Sequence, residues 1–193
     1  HSWESDVITG QGKSYGAELF IQRKVGKFSG WLGYTLSWTK YQFEELNFGK
    51  AFYPKQDCRH DISLVGIYQP SPKIKFSAIW VYSTGFPADI GRAEYTIQTH
   101  SPVEGDSGAK KVTDYGEKGS FRANASHRLD IGTQFIKKKN RGERIWDLSI
   151  YNVYSNRNPL MHYREVDQTT GNATLQQGSL FQIIPSITYT RKF

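Results

Sequence analysis

Over seven separate stretches of this chain, apolar side chains recur at every second position. Between Lys13 and Val25 the apolar positions are Tyr15, Ala17, Leu19 and Ile21, set against Gly16, Glu18, Gln22 and Lys24, with Phe20 out of phase. Successive side chains of a strand point to opposite faces, so this period predicts a strand with one apolar and one polar face. Trp31 to Phe43 repeats it, with Leu32, Tyr34, Leu36 and Trp38 against Gly33, Thr35, Ser37 and Thr39. Asp57 to Gln69 sets Ile62, Leu64, Gly66 and Tyr68 against Arg59, Asp61, Ser63 and Val65. Ile74 to Thr84, His127 to Ile136, Arg144 to Tyr154 and Ser179 to Phe193 complete the set.

These stretches run to roughly 10–13 residues each. A tilted strand needs roughly 9–11 residues to cross the hydrocarbon of a bilayer, whereas globular strands average about 5–6. The connections alternate in length. Short ones follow Val25, Gln69 (Pro70-Ser71-Pro72-Lys73, a tight turn) and Ile136, and long ones span 44–56, 85–126 and 155–178. Short turns at one end and long loops at the other are the pattern of outer-membrane barrels, periplasmic and extracellular respectively. The expected fold is therefore all-β: an antiparallel transmembrane β-barrel segment of about seven strands, with the C-terminus at the periplasmic end.

Composition fits without deciding. Mean hydropathy is −0.60, and no run approaches the roughly 18–20 apolar residues of a membrane helix. Aromatics make up 15% of the 193 residues, with 12 Tyr, 11 Phe and 5 Trp. Trp31 with Phe28, Trp38 with Tyr41, Trp80 with Tyr82, Trp146 and Tyr154 fall near strand ends, as in the aromatic belts of membrane interfaces. The same rings would also serve as the core of a soluble β-sandwich. A single cysteine, Cys58, rules out an internal disulfide. The net charge of +7 raises the question of nucleic acid. The basic residues, however, cluster in or beside short turns: Arg23, Lys24 and Lys27, then Lys73 and Lys75, then Lys137, Lys138, Lys139, Arg141 and Arg144. They are not interleaved with aromatics as single-strand binding requires, so no nucleic-acid partner is expected.

Several stretches resemble TonB-dependent receptors, particularly those of the Bacteroidota. They are Ser29-Gly30-Trp31-Leu32-Gly33-Tyr34-Thr35-Leu36-Ser37, Asp57-Cys58-Arg59-His60-Asp61-Ile62, Trp80-Val81-Tyr82-Ser83-Thr84-Gly85-Phe86-Pro87, His127-Arg128-Leu129-Asp130, Tyr151-Asn152-Val153-Tyr154-Ser155-Asn156-Arg157-Asn158-Pro159 and Ile184-Pro185-Ser186. The last residues, Ile187 to Phe193, resemble the signal read by the barrel-assembly machinery, with Tyr189 and the terminal Phe193 as its apolar positions and Arg191 departing from it. The resemblance implies a barrel of about 22 strands around an N-terminal plug. Residues 1–193 would then be the C-terminal portion of the barrel, with the plug and the remaining strands outside this chain. The first residue, His1, also suggests a processed or partial chain. An odd strand count agrees, because single-chain bacterial barrels have even numbers and an open edge in lipid costs several kcal/mol per unpaired backbone group. The implied function is TonB-driven nutrient import. Implied partners are the rest of the barrel and plug, the TonB complex, the barrel-assembly machinery, outer-membrane lipid and a surface lipoprotein. A complete small barrel with a structural or adhesive role, using residues 1–12 as an eighth strand, is the first alternative. A soluble β-sandwich binding module is the second.

Candidate sites are few. Arg59 with Asp61, and Arg128 with Asp130, share an Arg-x-Asp spacing that puts each pair on the polar, lumen-facing side of a strand. They read as a structural charge ladder, alternatively as a contact gating substrate or plug. Tyr95, His100, Tyr115 and Phe121 stand in the 85–126 loop, which is long for a segment without structure of its own. They read as ligand-stacking residues or as a generic surface loop. Arg59-His60-Asp61 lacks the order of a kinase loop, Gly12-Lys13-Ser14 lacks the leading glycine of a phosphate loop, and the sequons at Asn124 and Asn172 are incidental in a bacterial setting. His60, His127 and His162 have no metal-ligand spacing. No catalytic residue, metal or cofactor is expected.

Overall fold

The computed structural model describes residues 7–100, 107–139, 142–166 and 173–193. Thirteen strands follow one another: β1 (Gly10–Arg23), β2 (Phe28–Phe43), β3 (His60–Ser71), β4 (Ile74–Ser83), β5 (Pro87–Ala88), β6 (Ala93–His100), β7 (Ser107–Asp114), β8 (Phe121–Arg122), β9 (Ser126–Lys139), β10 (Gly142–Tyr151), β11 (Met161–Val166), β12 (Ala173–Gly178) and β13 (Ile184–Lys192). Seven of them form one antiparallel sheet in the order β1-β2-β3-β4-β9-β10-β13. These correspond to the seven stretches of alternation. Each strand pairs with the one before it, apart from two excursions. One carries the two-residue β5–β8 ladder and the β6–β7 hairpin, the other the β11–β12 hairpin. The 85–126 connection, expected to lack structure of its own, is largely this hairpin and ladder.

Register fixes the two faces, because residues directly opposite in an antiparallel pair share a face. One row runs Ile21–Leu32–Leu64–Trp80–Leu129 across five strands. Another runs Tyr68–Phe76–Thr133–Leu148–Ile187. The apolar positions of all seven strands therefore join into one continuous face. The other face carries rows such as Glu18–Thr35–Asp61–Ser83 and Lys75–Gln134–Asp147–Thr188. Trp31 and Phe20 lie on this second face, with ring centroids 5.9 Å apart. The expected belt positions of Trp31 and Tyr41 are thus corrected: their odd numbers put them out of phase with Leu32.

The apolar face is open. Among the described elements the strands of the sheet touch only the strands beside them, apart from β2, which also meets the 3-10 turn Asn47–Gly49, and no second layer packs across either face. Ala123 is the one buried hydrophobic residue described, while Leu64, Phe76, Trp146, Leu148 and Ile187 are exposed. A soluble sandwich needs a second sheet roughly 10 Å away to cover such a face. Among the described residues no second sheet covers this face. Nor does a closed barrel form among the described residues: β1 and β13 are the two edges, each paired on one side. No helix among the described residues is long and apolar enough to cross a membrane.

Candidate functional site

Two of the long connections meet at one end of the sheet around Asp57, and the third joins them through His162 at the neighbouring cleft. Pro54 starts a tight turn, closed by Asp57 N–H donating to the Pro54 carbonyl at 2.9 Å, which delivers the Asp57 carboxylate inward. Only 1% of Asp57 is exposed. Its carboxylate accepts the Thr39 N–H at 2.8 Å, pairs with Arg122 and stands 3.8 Å from the Arg59 guanidinium. A buried carboxylate requires such partners, since an unpaired one forfeits its hydration without compensation. Arg122 also donates to the Gly85 carbonyl at 2.9 Å. One ion pair thereby ties the 44–59 connection, the end of β2, and both sides of the β5–β8 ladder together. Glycine is required at 85, where a Cβ would collide with the Ala123 carbonyl.

Cations surround Tyr53: Lys40, Arg59 and Arg122 lie 5.0, 5.6 and 5.8 Å from its ring centroid. Hydrogen bonds from Arg59 and then Lys40 lower the Tyr53 phenol below its ordinary value. Burial, then the Asp61 charge, raises the Cys58 thiol. That thiol points its proton at the His60 carbonyl, 3.4 Å away. Beside this network lies a cleft of about 380 Å³ walled by Tyr53, Lys55, Phe86, Asp89, Lys118 and His162. Burial pushes the Asp89 carboxyl up, but the Gly119 N–H at 2.6 Å and Lys118 at 3.0 Å outweigh it and hold the group below its usual range. His162 stands 5.3 Å from Phe121 and 6.2 Å from Phe86, and its buried Nδ1 has no partner among the described residues. Aromatic walls, two lysines and an unsatisfied imidazole nitrogen suit a polar ligand with an acidic or hydroxylated group.

The expected residues are only partly brought together. Arg128 and Asp130 pair at 3.0 Å, and Arg128 also donates to the Tyr151 hydroxyl at 2.9 Å across the neighbouring strand. Asp130 accepts the N–H of Asn152, a fully buried residue that bridges Asn156 and Phe181. Arg59 does not pair with Asp61. It precedes β3 and turns toward Asp57 and the Trp38 ring, 4.9 Å away, and among the described residues Asp61 has no ion-pair partner. The ladder is thus one ion pair on the sheet and one outside it. Of the loop candidates, Phe121 packs on His162 at the cleft, while Tyr115 lines a separate groove with Glu44, Phe48 and Asp89. Tyr95 is exposed on β6, and the side chain of His100 lies outside the described residues. Tyr189 packs on Trp146 at 4.8 Å, and Phe193 lies exposed under the Arg191 guanidinium at 4.5 Å.

Sequence reading missed Asp57, Arg122 and His162 as partners. The usable signal was Pro54 three residues before a lone acid at the mouth of an apolar strand. No sequence signal pointed to Arg122. His60 and His127 each meet a tyrosine hydroxyl at 2.9 Å through Nδ1, so both are satisfied structurally. No cluster that could hold a metal occurs among the described residues. Comparison with protein-family models, curated proteins and solved structures returns no match.

Proposed function

We propose that this chain is a stretch of wall from an outer-membrane β-barrel receptor of the TonB-dependent type, acting in active nutrient import and carrying no catalysis of its own. The observation that carries the reading is the open apolar face, continuous across seven strands of 9–16 residues and backed by a face rich in Ser, Thr, Gly and charge. Lipid covers such a face without exposing unpaired backbone on the five interior strands, each hydrogen-bonded on both sides, and the edges of β1 and β13 are left for the rest of the barrel. The polar face then lines the lumen toward the plug. The loop end, with its Asp57-centred network and the His162 cleft, is extracellular and meets the ligand. The TonB complex acts through the plug, outside these strands, and the surface lipoprotein is a partner of the loop end. The barrel-assembly machinery reads the C-terminal strand.

The class is tested on the full native protein. It fractionates with the outer membrane and migrates faster on a detergent gel before boiling than after. A soluble monomer without that shift overturns the reading. The importer assignment is tested in whole cells, where loss of TonB abolishes uptake of the ligand; uptake that persists at full rate overturns it.

A further inference from the structure

We propose that the short-turn rim of the apolar face binds the phosphate of an anionic phospholipid through Lys137, Arg144 and Arg191; the inference rests on the outer-membrane reading above. Arg144 of β10 stands directly opposite Lys137 of β9 on one side and Arg191 of β13 on the other, so three cations form one row on one face. Like charges directly opposite each other destabilise a sheet. No carboxylate pairs with any of the three among the described residues. The adjacent row on the other face shows the contrast. There the same strands carry Lys138, Glu143 and Lys192 in alternating sign, and Lys192 reaches Glu143 at 3.4 Å. The row of three cations is therefore left without a counter-charge on the sheet and is open to an anion from outside it.

Its surroundings identify that anion. One row further from the turn, the same face presents Phe135, Trp146 and Tyr189, directly opposite one another. Beyond them a shallow apolar groove opens between Phe76, Leu148 and Ile187 over Thr133. From the turn outward, the order is cation, interfacial aromatic, apolar groove. That order matches headgroup, glycerol backbone and acyl chain. A free phosphate would use the first row alone, whereas an anionic lipid uses all three. Arginine adds geometric fit, since its guanidinium meets two phosphate oxygens at once.

The test uses the full-length receptor in detergent, with phosphatidylglycerol and phosphatidylcholine added separately and bound lipids counted by native mass spectrometry. Wild type retains phosphatidylglycerol in preference to phosphatidylcholine. The K137Q/R144Q/R191Q variant loses that preference by about tenfold or more, as expected from the attraction of each cation to an anionic headgroup, while its heat-modifiable mobility is retained. Should the triple variant fail to assemble, R144Q alone, at the centre of the row, is expected to reduce retention severalfold. An unchanged lipid preference in a correctly assembled variant overturns the proposal. Displacement of the lipid by inorganic phosphate alone, at equal concentration, overturns the choice of a lipid. A protein that never enters the membrane overturns the receptor reading instead, so the two failures are distinguishable.

Discussion

At the residue scale, the loop end depends on a few buried polar groups. Replacing Asp57 by Asn removes the charge that Arg122 faces, and charge-assisted hydrogen bonds of this kind contribute about 1.5–3 kcal/mol. Asp57→Asn is expected to raise amide exchange in 44–59 and 85–126 by more than tenfold, while exchange in β9 and β10 stays as in wild type. Asp89 gives a pH dependence with a definite sign. Its carboxyl titrates below the ordinary value of 3.8, so the stability it supplies is fully present above that value and is lost as pH falls through the lower, folded one. Exchange at the Gly119 amide is expected to accelerate below about pH 4 relative to its intrinsic rate, beyond the change at other loop amides. Asp89→Asn is expected to abolish this acid dependence; if the acceleration persists in the variant, Asp89 is not its source. Cys58, with its thiol raised by burial, is expected to react with a maleimide at pH 7 several times more slowly than a free thiol, measured by mass on the folded protein.

At the scale of the element, the two faces make opposite predictions for one kind of change. Leu64, central in β3 between Leu32 and Trp80, lies on the apolar face. A cation at a lipid-facing position near the bilayer midplane costs about 2–4 kcal/mol. On the proposed membrane reading, Leu64→Lys is therefore expected to cut the amount of folded protein in the membrane severalfold. Ser63→Lys, one residue away on the other face between Gly33 and Val81, is expected to assemble normally. Equal loss in both would contradict the assignment of faces. This same period made the seven long strands legible in the sequence. Their ends were less so. The last begins at Ile184 rather than Ser179, and the third at His60 rather than Asp57, because the Pro54–Asp57 turn and its side-chain bonds claim the preceding residues. The β6–β7 hairpin escaped notice because Gly, Ser and Lys in 107–111 dilute its alternation. The Asp57–Arg122 pair joins residues 65 apart in sequence, and no local pattern specifies such a contact.

At the scale of the whole molecule, direction matters as much as number. Neighbouring strands alternate in direction, so β1 and β13, the first and seventh in the sheet, run the same way. Closing this sheet on itself would set parallel edges together in an otherwise antiparallel wall. An odd number of further strands between them restores antiparallel pairing throughout. On the proposed reading, cysteines scanned along the outer edges of β1 and β13 are expected not to cross-link to each other, and those on β13 to bridge to a strand outside these seven instead. An efficient β1–β13 disulfide would show that these seven strands form a barrel alone.

The β5–β8 ladder has a consequence of another kind. Pro87 and Ala88 lie directly across from Arg122 and Phe121, so the chain leaves the sheet and returns through a two-residue gate. Of the elements threaded between those points, the β6–β7 hairpin contacts no strand of the seven-stranded sheet. That hairpin can thus be rewritten, by mutation or by an engineer grafting an epitope, while Asp89, Lys118 and Gly119 at its base are kept for the loop network.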